Sequence, residues 1–140
     1  MIIVTDASIW HSERRSEEDV ILHPVGDHAR RHDAVRIFRR VGGNLADCLG
    51  LAASTWREET YSEPRSHAIQ IGGRDAIEVV VHTRCRNATP PGSMACVGGG
   101  GDLYTLELVN RVTSCRAYQG VLFADPALRD GLFAGITLTR

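Results

Sequence analysis

The residues best suited to acid–base chemistry lie in the segment HPVGDHARRHD, from His23 to Asp33. Three of the six histidines, His23, His28 and His32, lie in this segment, and Asp27 directly precedes His28. The unperturbed pKa of histidine is close to neutrality, so such a cluster can accept or donate protons at physiological pH. We predict that His28 is the catalytic acid or base and that Asp27 lies beside it.

Two further interpretations concern the same histidines. His82, in the apolar stretch VVVHTRC, is the third predicted catalytic residue if it faces the same cleft. His28 and His32 are four residues apart and would share a helix face, where His23 could join them around a divalent metal. No further ligand stands at a recognised metal-site spacing, so we predict neither metal nor cofactor. The alternative without chemistry is a solvated helix start with Asp27 as its N-cap.

Length and composition indicate one soluble globular domain over residues 1–140. Apolar residues make up 43% of the chain and charged residues 24%, which is typical of folded proteins. Sixteen basic against seventeen acidic residues leave a formal charge of −1, so no overall field attracts nucleic acid or an anionic membrane. Every basic residue is arginine, which excludes a Schiff-base lysine and suits carboxylate or phosphate partners.

The cellular compartment is predicted to be the cytoplasm. The opening MIIVTDASIW lacks the basic region and the apolar run of a signal peptide, and no segment has membrane-spanning length. The four cysteines, Cys48, Cys85, Cys96 and Cys115, form no CxxC pair. We therefore expect four free thiols in a reducing environment.

One long helix is the element expected to position the histidine segment. Apolar residues recur at spacings of three and four from residue 34 to residue 52, which is the pattern of one helix face. Gly42-Gly43 interrupts the pattern, so a kinked helix and two abutting helices are both allowed, with one face that packs on a sheet. The residues predicted to point into the core are Phe38, Val41, Leu45 and Leu49.

Short β-strands are predicted on both sides of this helix. The expected strands are 2–4 with 9–10, 20–22, 68–71, 76–85, 103–112, 117–124 and 136–138, with 12–19 as a loop or edge. Residues 88–93 and the Gly98–Gly101 run are interpreted as breaks between strands, the latter as a hairpin connection. Asp125-Pro126 should begin a short helical turn. The predicted fold class is α+β, with one dominant helix packed on an antiparallel β-sheet.

This element order resembles the hotdog fold of acyl-thioester thioesterases and dehydratases. The similarity extends to residues: Asp27-His28-Ala29 at the helix entry, Phe38 in its middle, Gly43, and Leu49-Gly50-Leu51 at its end. The stretches DAIEVVVHTRC and LYTLELVNRVTSC resemble the paired long strands of that family. The asparagine that usually follows the histidine is replaced by Arg30 and Arg31. The acidic residue found mid-helix in many members is replaced by arginines, at Arg36, Arg39 and Arg40.

The resemblance implies hydrolysis or dehydration of an acyl thioester by a homo-oligomer, with CoA or a carrier protein as the thiol carrier. His28 would activate water or move a proton, and amides at the helix start would polarise the carbonyl. Two other functions remain open: a non-enzymatic subunit of a larger assembly such as a virus or phage particle, and a small polyketide-cyclase-like ligand-binding domain. MIIVTDAS also resembles the first strand of PIN-domain ribonucleases, with Asp6 and Asp47 as metal ligands, but the later strands do not follow that family's order.

Overall fold

The computed structural model describes residues 1–4, 6–30, 33–56, 62–84, 88–109, 122 and 125–139. These residues form strands, two short 3-10 helices and two α-helices. In chain order they are β1 (Ile2–Val4), β2 (Trp10–Ser16), β3 (Asp19–Pro24), a 3-10 helix (Gly26–Arg30), β4 (Val35–Arg40), a 3-10 turn (Leu45–Asp47), α1 (Cys48–Thr55), β5 (Arg65–Ile71), β6 (Arg74–His82), β7 (Pro91–Gly99), β8 (Asp102–Leu108), α2 (Pro126–Gly135) and β9 (Ile136–Leu138). Neither described α-helix is long and apolar enough to cross a membrane.

A seven-stranded antiparallel sheet dominates the structure. Its strand order is β2-β3-β4-β8-β7-β6-β5, and β1 pairs separately with β9. The sheet consists of two meanders, β2-β3-β4 and β5-β6-β7-β8, that join where β4 pairs with β8. At this junction Ile37 lies opposite Leu106. Strand β4 therefore links the first meander to the second through β8.

The two faces of the sheet carry separate apolar cores. On one face, here called the α2 face, side chains from all seven strands pack with α2, β1 and β9. On the other, the α1 face, Ala52 of α1 and Trp56, which directly follows the helix, pack against β6, β7 and the start of β8. Alternation along each strand explains this division: in β7, Ala95 and Val97 belong to the first core, and Met94 and Cys96 to the second.

The predicted dominant helix over residues 34–52 is wrong, and the predicted α+β class with one dominant helix is wrong with it. Val35 and Ile37, two residues apart, are both fully buried, and a burial period of two residues is typical of a strand. Their β-branched side chains fit the pleated surface between β3 and β8. Of the residues predicted to point into the core, Val41 is 79% exposed and Leu49 is 41% exposed. Of the predicted long helix, only its last part is α-helical, in the eight-residue α1.

Most of the other elements agree with the sequence-based predictions. Strands β1, β3, β5, β6, β8 and β9 and the start of α2 at Pro126 lie where expected. Strand β7 was missed because Pro91-Gly92 was interpreted as a break. The predicted strand 117–124 lies outside the described residues except for Leu122. The single domain over residues 1–140 stays a prediction.

A disulfide joins α1 to the sheet. Cys48, the first residue of α1, is bonded to Cys96 in β7, and both are fully buried. Their Cα atoms are 6.1 Å apart. The expectation of free thiols is thus wrong for this pair, and the other two cysteines lie outside the described residues. The bond closes 48 residues of chain and holds α1 on its face of the sheet.

We expect the double variant Cys48→Ala/Cys96→Ala to lose about 4 kcal/mol of unfolding free energy, because the cross-link restricts the unfolded chain. Urea unfolding followed by circular dichroism measures the loss. The matched control is Cys85→Ala/Cys115→Ala. Rapid alkylation of all four thiols in the native protein without reductant would contradict the bond.

The β5–β6 hairpin depends on a two-glycine turn. Gly72 and Gly73 have φ angles of 58° and 75°, as a type I′ hairpin requires. A Cβ atom on Gly72 would lie only 2.3 Å from the carbonyl oxygen of Ile136, whereas one on Gly73 would meet nothing within 4 Å. The first glycine is therefore required for both its conformation and its space.

Gly73→Ala should cost about 1 kcal/mol of stability, because alanine is strained in the left-handed region. Gly72→Ala should cost about 3 kcal/mol, because the added methyl also collides with the backbone of β9. Thermal unfolding of the two variants measures both values. Equal losses would mean that the close approach to Ile136 does not exist.

Candidate functional site

The predicted catalytic pair Asp27 and His28 lies in the 3-10 helix that follows β3. Asp27 is exposed and His28 is half-buried, with its Nδ1 atom shielded from solvent. Asp33 lies after this 3-10 helix, and burial raises its pKa. The predicted neighbour of His28 on a helix face, His32, lies outside the described residues.

His82 is remote from that pair. It ends β6, where its ring Nδ1 lies 3.2 Å from the carbonyl oxygen of Thr89 and its backbone amide donates to Ser62 Oγ at 2.9 Å. Four strand spacings separate β6 from β3 in the sheet, which corresponds to about 19 Å. The structure thus brings Asp27 and His28 together and leaves His82 elsewhere. Their catalytic role stays a prediction.

The side chain of His23 contacts a carboxylate. Its Nε2 atom lies 2.9 Å from Glu13 Oε2 on the neighbouring strand β2. The hydrogen bond from His23 is the main cause of a lowered pKa at Glu13. Within the described ranges, no three histidine, cysteine, aspartate or glutamate side chains are grouped closely enough to hold a metal ion.

The most unusual titratable group is Glu78, in the middle of β6 on the α2 face. Its side chain is 1% exposed. His67 Nε2 on β5 lies 3.3 Å from one carboxylate oxygen, and Arg129 Nη2 on α2 lies 2.7 Å from the other. Burial raises the pKa of Glu78, although the charges of Arg129 and His67 act in the opposite direction.

This cluster joins three elements and was not identified from the sequence. Because α2 approaches β5 and β6 here, the Glu78–Arg129 ion pair positions the helix on the edge hairpin. The guanidinium of Arg129 also stacks 5.2 Å from the ring centroid of Phe133, one helical turn further on. A lone glutamate within the apolar run AIEVVV was the available signal, since a buried acid needs a cationic partner.

A second charged cluster lies on the α1 face of β4, beyond the strands that α1 contacts most. The guanidinium of Arg36 lies 4.4 Å from the ring centroid of Phe38, and that of Arg40 lies 4.8 Å from it. Arg36 is held by Asp19, to which its Nε and Nη2 atoms donate at 2.9 and 2.7 Å. These hydrogen bonds are the main cause of a lowered pKa at Asp19. We call Arg36, Phe38 and Arg40 the arginine face.

Arg40 differs from Arg36 in its partners. No carboxylate of the described residues forms an ion pair with it, and its Nε atom is buried without a hydrogen-bond partner in that part of the chain. Thr105, opposite Phe38 on β8, is fully buried, and its hydroxyl likewise has no described partner. Arg40 therefore offers a cation that rests on an aromatic ring and lacks a counter-ion from the described residues.

The described residues also form a small apolar groove between α2 and the β1–β2 connection. It is lined by Val4, Ile9, Trp10 and Leu132, with Asp6 at its side. Its volume is about 40 Å³, which admits one or two water molecules but no acyl chain. The Asp6 carboxylate accepts hydrogen bonds from Ser8.

Comparison with known proteins gives one informative result. No protein-family model matches the chain, and no curated protein matches it. The fold is similar to the solution structure of cyanobacterial PsbP (CyanoP) from Synechocystis sp. PCC 6803. The TM-score is 0.57 and the sequence identity 11%, and the match covers 99% of this chain and 86% of that chain. At this identity the similarity shows the fold alone.

The comparison corrects the functional prediction. The PsbP structure has a different fold from the hotdog thioesterases and dehydratases, so the predicted family resemblance is wrong. The predicted hydrolysis or dehydration of an acyl thioester is also wrong, because it rested on that resemblance and on a long central helix. Strand β4 occupies part of the region where that helix was expected. The two alternatives, a virus-particle subunit and a polyketide-cyclase-like domain, gain no support either. The predicted thioester substrate and further copies of the chain stay predictions.

Glu78 makes the stability of the protein depend on pH. A carboxylate whose pKa is raised on folding contributes stability that is complete below its unfolded value, near 4.5, and is lost as the pH rises through the folded value. The stability of the wild type relative to Glu78→Gln should therefore fall between about pH 4 and about pH 7. Urea unfolding at both pH values measures the difference.

The control for this experiment is Glu63→Gln, which changes an exposed carboxylate. Its stability relative to the wild type should stay nearly constant between the two pH values. If the wild type instead gained stability over Glu78→Gln as the pH rose, attraction to Arg129 and His67 would outweigh burial.

Proposed function

We propose that this protein is a non-catalytic binding domain whose arginine face binds a carboxylate-bearing surface of a partner protein. One observation carries the proposal: Phe38 lies between two guanidinium groups on the part of the sheet beyond α1, and Arg40 has no described counter-ion. Arginine and aromatic side chains contribute much of the affinity in protein interfaces. A carboxylate would supply the partner that Arg40 lacks.

The described residues favour binding over catalysis. Asp27 and His28 lie in the 3-10 helix after β3, whereas His82 ends β6, four strand spacings away in the sheet. The groove beside α2 is too small for a substrate. Glu78, the buried acid, already has two cationic partners. These features do not bring Asp27, His28 and His82 together around one reacting group.

A protein partner fits the arginine face better than nucleic acid does. The register places three acidic residues, Glu13, Asp19 and Glu107, on the same face as Arg36 and Arg40. Their carboxylates would repel a phosphate backbone, in keeping with the net charge of −1. A surface of alternating sign instead suits a protein surface of complementary pattern.

We extend the proposal to the cellular compartment of the protein, for which we propose an oxidising environment. The Cys48–Cys96 disulfide favours an oxidising environment, because such bonds rarely persist where thiols are kept reduced. The cytoplasmic location stays a prediction from the sequence, and the disulfide argues against it.

The test uses deca-glutamate as a probe of carboxylate binding, monitored by chemical-shift changes in the NMR spectrum of the isotope-labelled protein. We expect the shifts to concentrate on Arg36, Phe38 and Arg40. Phe38→Ala and Arg40→Ala should each weaken binding about fivefold, the equivalent of about 1 kcal/mol for an exposed cation–π contact.

The matched control is Arg84→Ala, which removes an exposed arginine near the end of β6 and should leave the affinity unchanged. A second titration uses deca-uridine, which should bind more weakly than the peptide. Shifts spread evenly over all arginines, or tighter binding of the oligonucleotide, would overturn the proposal.

A further inference from the structure

The two edges of the large sheet differ in how well they are protected against pairing. In the seven-stranded sheet, β2 and β5 are the two edge strands, and each pairs with one neighbour among the described strands. Strand β2 carries three consecutive charged residues, Glu13 to Arg15, and its register shifts between Arg14 and Ser16. Charges and bulges are the usual devices that prevent the addition of another strand to an edge.

Strand β5 has neither device. Its sequence, RSHAIQI, contains one permanent charge, Arg65, and its register with β6 is regular over all seven residues. The first four residues of β5 are exposed, as is Gln70. Ala68, at the centre of the strand, is among the exposed residues, so no described residue covers its methyl side chain.

We propose that β5 is a dimerisation edge that pairs antiparallel with β5 of a second copy of this chain. A two-fold axis at Ala68 sets Arg65 opposite Ile71, Ser66 opposite Gln70, His67 opposite Ile69, and Ala68 opposite itself. No pair opposes like permanent charges, and the pairs on the α1 face are small or polar. The edge is thus complementary to itself, as an isologous interface must be.

The half-buried Ile69 supports this choice of partner. It packs against the core of the α2 face while part of its side chain stays open at the edge. In the dimer it would contact His67 of the partner subunit across the new strand pair, and the two sheets would continue into one. Because a single strand pair buries little area, the dimer should depend on concentration.

The test is sedimentation velocity of the full chain over a concentration series. The wild type should dimerise, and Ala68→Arg should weaken the dimer about fivefold because it sets two guanidinium groups opposite each other at the axis. Ser12→Arg, a similar change at an exposed position of β2, is the control and should not alter the dimer.

A charge-exchange experiment separates this pairing from a general loss of association. Ala68→Arg and Ala68→Glu should each dimerise poorly alone, and an equal mixture should form a heterodimer, because the two charges then attract across the axis. A wild type that is monomeric at all concentrations, or a mixture that dimerises no better than its components, would overturn the proposal.

Discussion

The structure depends on a sheet whose two faces must both be covered, although the described chain provides only two short α-helices for this purpose. The α2 face is closed by α2 together with the β1–β9 pair. On the opposite face α1 has eight residues, so it covers the β6–β7 region and reaches no further than the start of β8. Beyond that region the same face carries Arg36, Phe38 and Arg40, whose side chains are half-buried.

The disulfide and the buried ion pair fix the two helices at their places. Cys48–Cys96 anchors the first residue of α1 to a central strand. Glu78 and Arg129 join α2 to the hairpin that forms the β5 edge. Because a buried charge without a partner is costly, the second contact selects one position for the helix. The functional surfaces that we propose are the parts of the sheet that these two anchored helices leave open.

Much of the β-structure was predictable because alternation and turn residues are local signals. In β8, Tyr104 and Leu106 are two residues apart and face the same core, as alternation along a strand requires. The sequence of β4 misled because Val35, Phe38 and Val41 also match a helical spacing. Burial decides between the periods, and it depends on β3 and β8, which lie far away in sequence.

The candidate site was less predictable for the same reason. The histidines formed a conspicuous cluster in the sequence, but pairing across strands separates His82 from His28 and gives His23 to Glu13. Glu78 and Arg129 are far apart in the chain and meet only after α2 docks on the sheet. The disulfide likewise joins two cysteines whose spacing carries no motif.

The most direct test of the account is an NMR measurement on the native protein that combines cross-strand nuclear Overhauser effects with relaxation by a soluble gadolinium chelate. We predict contacts between the backbones of Phe38 and Thr105, together with strong relaxation of the Phe38 ring by the chelate. Sequential helical contacts over residues 34–41, with a shielded Phe38 ring, would contradict both strand β4 and the accessible arginine face.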